Sequence, residues 1–473
     1  MNRILLPLFF CMCFFFSQAQ EKLKNYDDAF KLIEVWLSAQ KDFENIPSIT
    51  AMVVKNQEVL WKGAFGSIDL SQNIPAKTTT NCSICSITKS FTAVAIMKLV
   101  DEEKLSLDDK VKDILPFYKV KLNTINNNEA TIRSLLSHSS GLPSNTIHSY
   151  FTGPNFTFPT QSEFREALKN MEIKSNVGSN VNYSNVGYAL LGEIIEKISG
   201  VSYETFLMNE VIIPLQMNNT YFEMKPRNKQ QAIGYTAINR DLTRNQVNLF
   251  NTKSMKPSMG LWTSMDDLAK YISWQFRLRE ITTTEILKPS SLKSMHTTQA
   301  TNKYMSWGLG FETIKGSNGD DWISHGGTCP GFVSLMQLNL TTKMGFAVMI
   351  NANRARTFKY INGIKQILSK AKILEENSNG KAANLNEYTG FYNMNPWNSL
   401  TYVSKWGNDL VMLQLPENSP KYGMQFLRHM SDDTFRFIKK DGTLGEEIVF
   451  KRNKKGKVEK FYEGGNFKSK VIE

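Results

Sequence analysis

Ser86 and Lys89 stand three residues apart in Cys85-Ser86-Ile87-Thr88-Lys89-Ser90-Phe91. Phe91, Val94, Ala95, Met97, Leu99 and Val100 recur at helical spacing, so the stretch reads as a buried helix with Ser86 in its first turn. That spacing puts both side chains on one face, roughly 5–6 Å apart at Cβ. A serine alcohol is a poor nucleophile until a neighbouring base takes its proton. A buried amine is disfavoured as a cation, and its lowered pKa can make it that base. The amide of Ser86, at the helix N-terminus, can point at an oxyanion forming beside its own oxygen. The pattern alone does not decide the matter. Ser-x-x-Lys also starts at Ser38, Ser290, Ser369 and Ser378, and the apolar helix behind Ser86 can equally be plain core.

The surrounding chain must position this pair. Asp27 to Phe43 reads as an opening helix ended by Pro47, and Ile49–Val54 with Val59–Phe65 as a hairpin turning at Asn56-Gln57. The Ser86 helix is expected to end near Lys104. From about Thr131 to Tyr221 the text is helical with loops. Its strongest element is Gly187 to Ser199, with Leu190, Leu191, Ile194, Ile195 and Ile198 on one face and Gly200 as its stop. Ser264 and Asp267 resemble a capping box for a helix over Met265–Phe276. Trp307–Phe311 and Asp321–Ser324 are strand-like, Val333–Leu340 and Gly345–Ile350 form a second hairpin, and Tyr360–Leu374 is a closing helix. Strands at both ends with helices between predict an α/β fold: an antiparallel sheet flanked by helices, with an inserted helical lobe. Glu375–Ala383 reads as a linker. Beyond it, short runs alternate with turns every 8–12 residues, which predicts a small all-β barrel or sandwich.

Composition narrows the function classes. Residues 1–19 carry Arg3, an apolar run from Ile4 to Phe16 and small residues at Ser17-Gln18-Ala19, the pattern of an export signal. The run falls short of the ~20 residues that span a bilayer. The mature chain is therefore expected to be periplasmic or secreted, without a transmembrane anchor. Cys82, Cys85 and Cys329 remain after cleavage, an odd number that leaves at least one free thiol. An extended Cys82-Ser-Ile-Cys85 holds its ends too far apart for a disulfide, so both are expected to be small buried apolar residues. Cys329 is expected at the cleft rim or as a buried spacer. His138, His148, His296, His325 and His429 show no metal-ligand spacing, and neither metal nor cofactor is expected. The net charge of +12 does not point to nucleic acid in an exported protein. Its densest run, Lys451 to Lys457, reads as a solvated hairpin tip.

Three elements stand in order: Ser86-Ile-Thr-Lys89, Tyr183-Ser-Asn185 and His325-Gly326-Gly327. This resembles the serine β-lactamase and penicillin-binding-protein superfamily, with its Ser-x-x-Lys, Ser-Asp-Asn and Lys-Thr-Gly motifs. The class C-like branch is the nearer likeness, with Tyr-x-Asn in second place; it includes DD-carboxypeptidases, D-aminopeptidases, family VIII-type esterases and LACTB-like peptidases. Leu135-Leu-Ser-His-Ser-Ser-Gly-Leu-Pro143, Met259-Gly-Leu-Trp-Thr-Ser-Met-Asp-Asp-Leu268 and Gly326-Gly-Thr-Cys-Pro-Gly-Phe332 extend it over residues 27–372. Tyr-x-Asn recurs at Tyr360 and is weak alone; the ordered triple is specific. The resemblance implies that Ser86 attacks a carbonyl and becomes an acyl-enzyme. Lys89 and Tyr183 would share acid and base duty, the order of proton transfer staying open. Asn185 would hold the substrate amide and Lys89. The amides of Ser86 and Thr328 would form the oxyanion hole, with Gly326 and Gly327 letting the strand approach the substrate. His325 stands where the family often has a lysine that pairs with a substrate carboxylate. A mostly neutral imidazole favours peptidase, D-amino-acid amidase or esterase chemistry over strong β-lactamase activity, or else merely shapes the pocket. His138 reads as a loop-fixing hydrogen-bond partner.

Residues 20–374 thus form the expected hydrolase domain, 375–383 the linker and 384–473 a lipocalin-like β-domain that covers the cleft or binds substrate. The expected partner is a small molecule or short peptide, cell-wall peptide included. The rival readings are a non-catalytic penicillin-binding or envelope-sensing module and a cell-wall adhesion protein.

Overall fold

The computed structural model describes residues 26–122, 129–173, 175–178, 180–222, 230–374, 384–397 and 399–471. The expected export segment 1–19 and the expected linker 375–383 lie outside these. Two compact units emerge, one spanning Asn45–Thr357 and one joining the described residues up to Glu44 with those from Phe358 onward.

The first unit is built on a nine-stranded antiparallel sheet. Its strands are β1 (Ser48–Lys55), β2 (Glu58–Asp69), β3 (Ile74–Pro75), β6 (Ala300–Thr301), β7 (Ser306–Trp307), β8 (Glu312–Lys315), β9 (Asp321–Cys329), β10 (Phe332–Asn339) and β11 (Met344–Ile350). A separate pair, β4 (Cys82–Ser83) and β5 (Trp262–Thr263), lies between them in sequence. Spatial order is β3-β2-β1-β11-β10-β9-β8-β7-β6, so strands from the two ends of the unit meet where β1 pairs with β11. Both hairpins form as the alternation predicts. Asn56 takes φ +55 at the first turn, a left-handed conformation that asparagine tolerates better than most residues.

Helices fill the interval. A helix over 26–43 (α1) belongs with the second unit; α2 (Thr88–Asp101), α3 (Ile132–Leu136), α4 (Asn185–Ser199) and α5 (Met265–Glu280) belong with the first. Thr88 to Ala95 of α2 are all buried, polar residues included, so this helix runs through the core. Ser264 Oγ caps α5 by accepting from Asp267 N, whereas the Asp267 carboxylate turns to Lys270, Asn219 N and Thr220 Oγ1 and does not close a capping box. Strand β9 runs on through His325 to Cys329, past its expected end at Ser324.

In the second unit, eight strands from β12 (Gly390–Asn393) to β19 (Asn466–Ser469) pair in sequence order. Tyr392 bridges to Lys470, nearly closing a barrel around Tyr388, Tyr392, Phe435, Phe450 and Phe461. The basic run forms the expected hairpin tip, with Gly456 at φ +77. Helix α1 and the closing helix α6 (Thr357–Leu374) cluster with this barrel, so the compact units differ from the segments 20–374 and 384–473. The reason is specific packing. Trp36 Nε1 donates to Glu417 O at 2.8 Å, Gly407 N to Asp28 Oδ2 at 2.9 Å and Lys421 N to Gln366 Oε1 at 3.1 Å. A Cβ at Gly363 would fall 2.0 Å from the Trp36 ring, so α1 and α6 meet through a glycine.

Candidate active site

Ser86 lies in a 3-10 turn, Cys85–Ile87, that leads directly into α2. Thr88 Oγ1 donates to Cys85 O at 2.6 Å and accepts from Leu261 N at 3.1 Å, which ties the turn to the 256–263 segment. Lys89 is wholly buried, with Nζ 3.2 Å from Ser86 Oγ, 2.7 Å from Asn185 Oδ1 and 2.8 Å from Ser258 O. Burial without a carboxylate partner holds its pKa well below the usual lysine value. A neutral amine has two N–H donors and one lone pair. Two carbonyl acceptors consume the donors and leave the lone pair for the Ser86 hydroxyl.

Ser258 reaches Lys89 because α4 carries Gly192 against Pro257, where a Cβ would come within 2.2 Å of the proline ring. Thr92 Oγ1 holds Pro257 O at 2.7 Å on the other side. Asn185 opens α4, whose cap is Ser184. Its Nδ2 donates to Asn145 Oδ1 at 2.7 Å, so both ends of the amide are fixed.

The loop 137–145 is the platform for Tyr183-Ser-Asn185. Asn182 N donates to His138 O at 2.6 Å, Ser184 N to His138 Nδ1 at 3.1 Å, Ser184 Oγ to Pro143 O at 2.7 Å and Asn185 N to Ser144 O at 2.8 Å. His138 thus fixes the loop, and its ring stacks 4.2 Å from that of Tyr183. Gly141 takes φ +71 where a Cβ would meet Ser175 O at 2.3 Å. Burial raises the pKa of the Tyr183 hydroxyl, and the influence of the Ser86 hydroxyl only partly offsets that rise. Lys89 Nζ lies 4.8 Å from the Tyr183 ring centroid.

The third element lies on β9. The last pair that β8 makes with β9 is Glu312 with Ser324, so β8 leaves β9 unpaired from His325 to Cys329, beside the Ser86 turn. Gly327 packs so tightly there that a Cβ would fall 2.2 Å from Ile84 O; Gly326 and Thr328 are exposed. His325 is buried, with Nδ1 donating to Gly326 O at 2.8 Å. Burial lowers its pKa to about 3, so the ring is neutral and Nε2 carries the lone pair.

One expectation is corrected. Cys85 is no mere apolar filler and Cys329 no spacer or rim residue: they form a disulfide, Cα–Cα 5.6 Å, across 244 residues. Among the described residues Cys82 alone stays free, and it is buried. Sequence spacing hid this pairing because β9 and the turn meet only through the sheet. Ser258, Asn145 and Trp307, whose ring lies 5.7 Å from that of Tyr183 and 5.5 Å from that of His325, also join the site unforeseen. Ser258 acts through its backbone, which leaves no residue-type signal.

The beta-lactamase family profile matches residues 36–365. The chain belongs to the beta-lactamase family. It is 29% identical over 354 residues to Protein flp of Staphylococcus aureus, covering 74% of this chain and 68% of that protein. The octameric penicillin-binding protein homologue from Pyrococcus abyssi superposes with TM-score 0.64 at 24% identity, over 93% of this chain and 99% of that one. A D-stereospecific amidohydrolase from Streptomyces gives 0.57 at 24% identity, over 71% and 98%. These two likenesses are of fold. Among the described residues, of the Ser-x-x-Lys matches at Ser38, Ser86, Ser290 and Ser369 only that of Ser86 meets the other elements; the match at Ser378 lies outside the described residues. Tyr360, of the second Tyr-x-Asn, is buried in α6 and donates to Glu44 Oε2 at 2.9 Å.

Proposed function

We propose that the protein is an exported serine hydrolase that acts through a Ser86 acyl-enzyme on peptide, amide or ester bonds, of the D-amino-acid peptidase or esterase type. The observation that carries this reading is the hydrogen-bond count at Lys89: two carbonyl acceptors and one hydroxyl around a buried amine whose pKa burial drives down. Lys89 takes the Ser86 proton as Oγ attacks the carbonyl carbon. The Tyr183 hydroxyl, kept protonated by burial, would pass a proton to the leaving group and later steer water. The amides of Ser86 and Thr328 receive the oxyanion. Asn185 bridges Lys89 and the substrate amide.

Substrate class follows from charge. His325 is neutral at physiological pH and supplies no cation for a carboxylate. Amides and esters are therefore favoured over β-lactams, whose carboxylate would find no fixed partner at this strand. The amidohydrolase and penicillin-binding relatives support this range without narrowing it. The test is a panel of D-Ala-D-Ala peptides, D-amino acid amides, nitrocefin and short-chain esters, with wild type and Ser86→Ala. Turnover of amides or esters that vanishes in the variant is expected. Nitrocefin turnover exceeding the others would overturn the substrate ranking. Fluorescent-penicillin labelling without turnover of any panel member would favour a binding module instead.

A further inference from the structure

We infer that the Cys85–Cys329 disulfide is a positioning element for the reaction, fixing the spacing between the two amides that receive the oxyanion. The inference rests on the proposed role of Ser86. Each cysteine is the chain neighbour of one donor: Cys85 precedes Ser86, and Cys329 follows Thr328. The crosslink therefore closes a short covalent path from one amide to the other, although the chain between them runs through 244 residues.

Three further observations agree. Cys85 takes φ +50, a left-handed conformation that residues with side chains hold only where their surroundings impose it. From His325 to Cys329, β9 pairs with β10 on one edge but has no β8 partner on the other. The β9–β10 pair is fastened to the Ser86 turn by Ser334 Oγ of β10 donating to Ile84 O at 2.9 Å, the bare α-carbon of Gly327 against the same carbonyl, and the disulfide. The first two resist separation but allow sliding, because a hydrogen bond and a van der Waals contact tolerate small shifts. The covalent bond does not. Oxyanion donors must lie about 2.7–3.1 Å from the developing charge, and a 1 Å misplacement can cost about 100-fold in rate. Cys85 is fully buried and Cys329 nearly so, which suits a permanent fixture.

The experiment begins with peptide mapping of the unreduced protein, which should recover Cys85 joined to Cys329. Cys329→Ala then removes the bond while leaving the Cys85 backbone in place. The expected result is a kcat about 10- to 100-fold lower, with KM within about threefold of wild type, because an oxyanion contact acts only in the transition state. A staple that served stability alone would lower Tm and leave kcat unchanged well below Tm. That result overturns the inference, as does mapping that finds no crosslink. Should the variant not fold, reduction of the folded wild type by dithiothreitol serves instead. The reagent's two thiols pass two electrons and two protons to the Cys85–Cys329 bond, giving two protein thiols and the cyclic disulfide. kcat should fall in proportion to the crosslink lost and return on reoxidation. Unchanged kcat after full loss of the crosslink would overturn the inference. Ser86→Ala separates the two layers: full turnover in that variant defeats the reading of the site itself. Ser86-dependent turnover with normal kcat in Cys329→Ala defeats only the role of the disulfide.

Discussion

Lys89 and Arg452 both sit beside tyrosine rings, and the protein treats them in opposite ways. Lys89 Nζ lies 4.8 Å from the Tyr183 ring, and the Arg452 guanidinium 5.7 Å from the Tyr388 ring. Lys89 is buried among carbonyl and hydroxyl oxygens, and its pKa is driven down. The Arg452 side chain is about one-third exposed and bonds Asp433 and Glu387, so its pKa is driven up by Asp433 first and Glu387 second. Proximity to a phenol decides neither case. The presence of a carboxylate and of water does, because an isolated buried charge has nothing to replace its hydration. One site gains a base, and the other a surface clamp that joins strands of the barrel.

That contrast can be broken or sharpened. Lys89→Met removes the buried amine and should lower kcat about 1,000-fold, within the usual span for a general base, as steady-state kinetics would register. If kcat stays within about tenfold of wild type, another group takes the Ser86 proton. Asn185→Asp makes the first site resemble the second, by placing a carboxylate oxygen where Oδ1 now lies 2.7 Å from Nζ. Lys89 should then stay charged at pH 7, with turnover about 100-fold lower and the ascending limb of the pH–rate profile moved to more alkaline pH. An unmoved limb would separate that limb from Lys89.

A third, smaller effect concerns His325. Its folded pKa of about 3 lies below its ordinary value of 6.5. Between those values the unfolded chain binds a proton that the folded chain refuses, so stability falls as pH drops through that window. His325→Asn should make urea-unfolding stability shallower in pH there by about 1.4 kcal/mol per pH unit, one proton's worth. Identical slopes would place the histidine in contact with water. Smallest of all, Arg452→Met should cost about 1 kcal/mol or less in chemical denaturation, as expected of an exposed ion pair, and leave kcat untouched. A change in kcat would tie the barrel to the chemistry.

Much of this was legible in the sequence because it is local. The Ser86–Lys89 spacing, the stop at Gly200, the Asn56 turn and the alternation of the paired strands depend on neighbours within a few residues. The flanking stretch from Leu135 to Pro143 marked a platform, although its use, carrying Tyr183 and Asn185 through His138 and Ser144, needed coordinates. The association of α1 and α6 with the barrel was not legible, since it turns on Trp36 meeting Gly363 and Glu417 across more than 300 residues.

The sequence by itself determined which side chains could react, the order of the three motifs and the class of fold. Among the described residues, tertiary structure decided which Ser-x-x-Lys pair became a site, because around Lys89 folding removes water while supplying carbonyls and withholding a carboxylate. It also decided the partner of Cys85, because a bond across 244 residues is set by where a sheet edge meets a turn, and no local pattern encodes that distance.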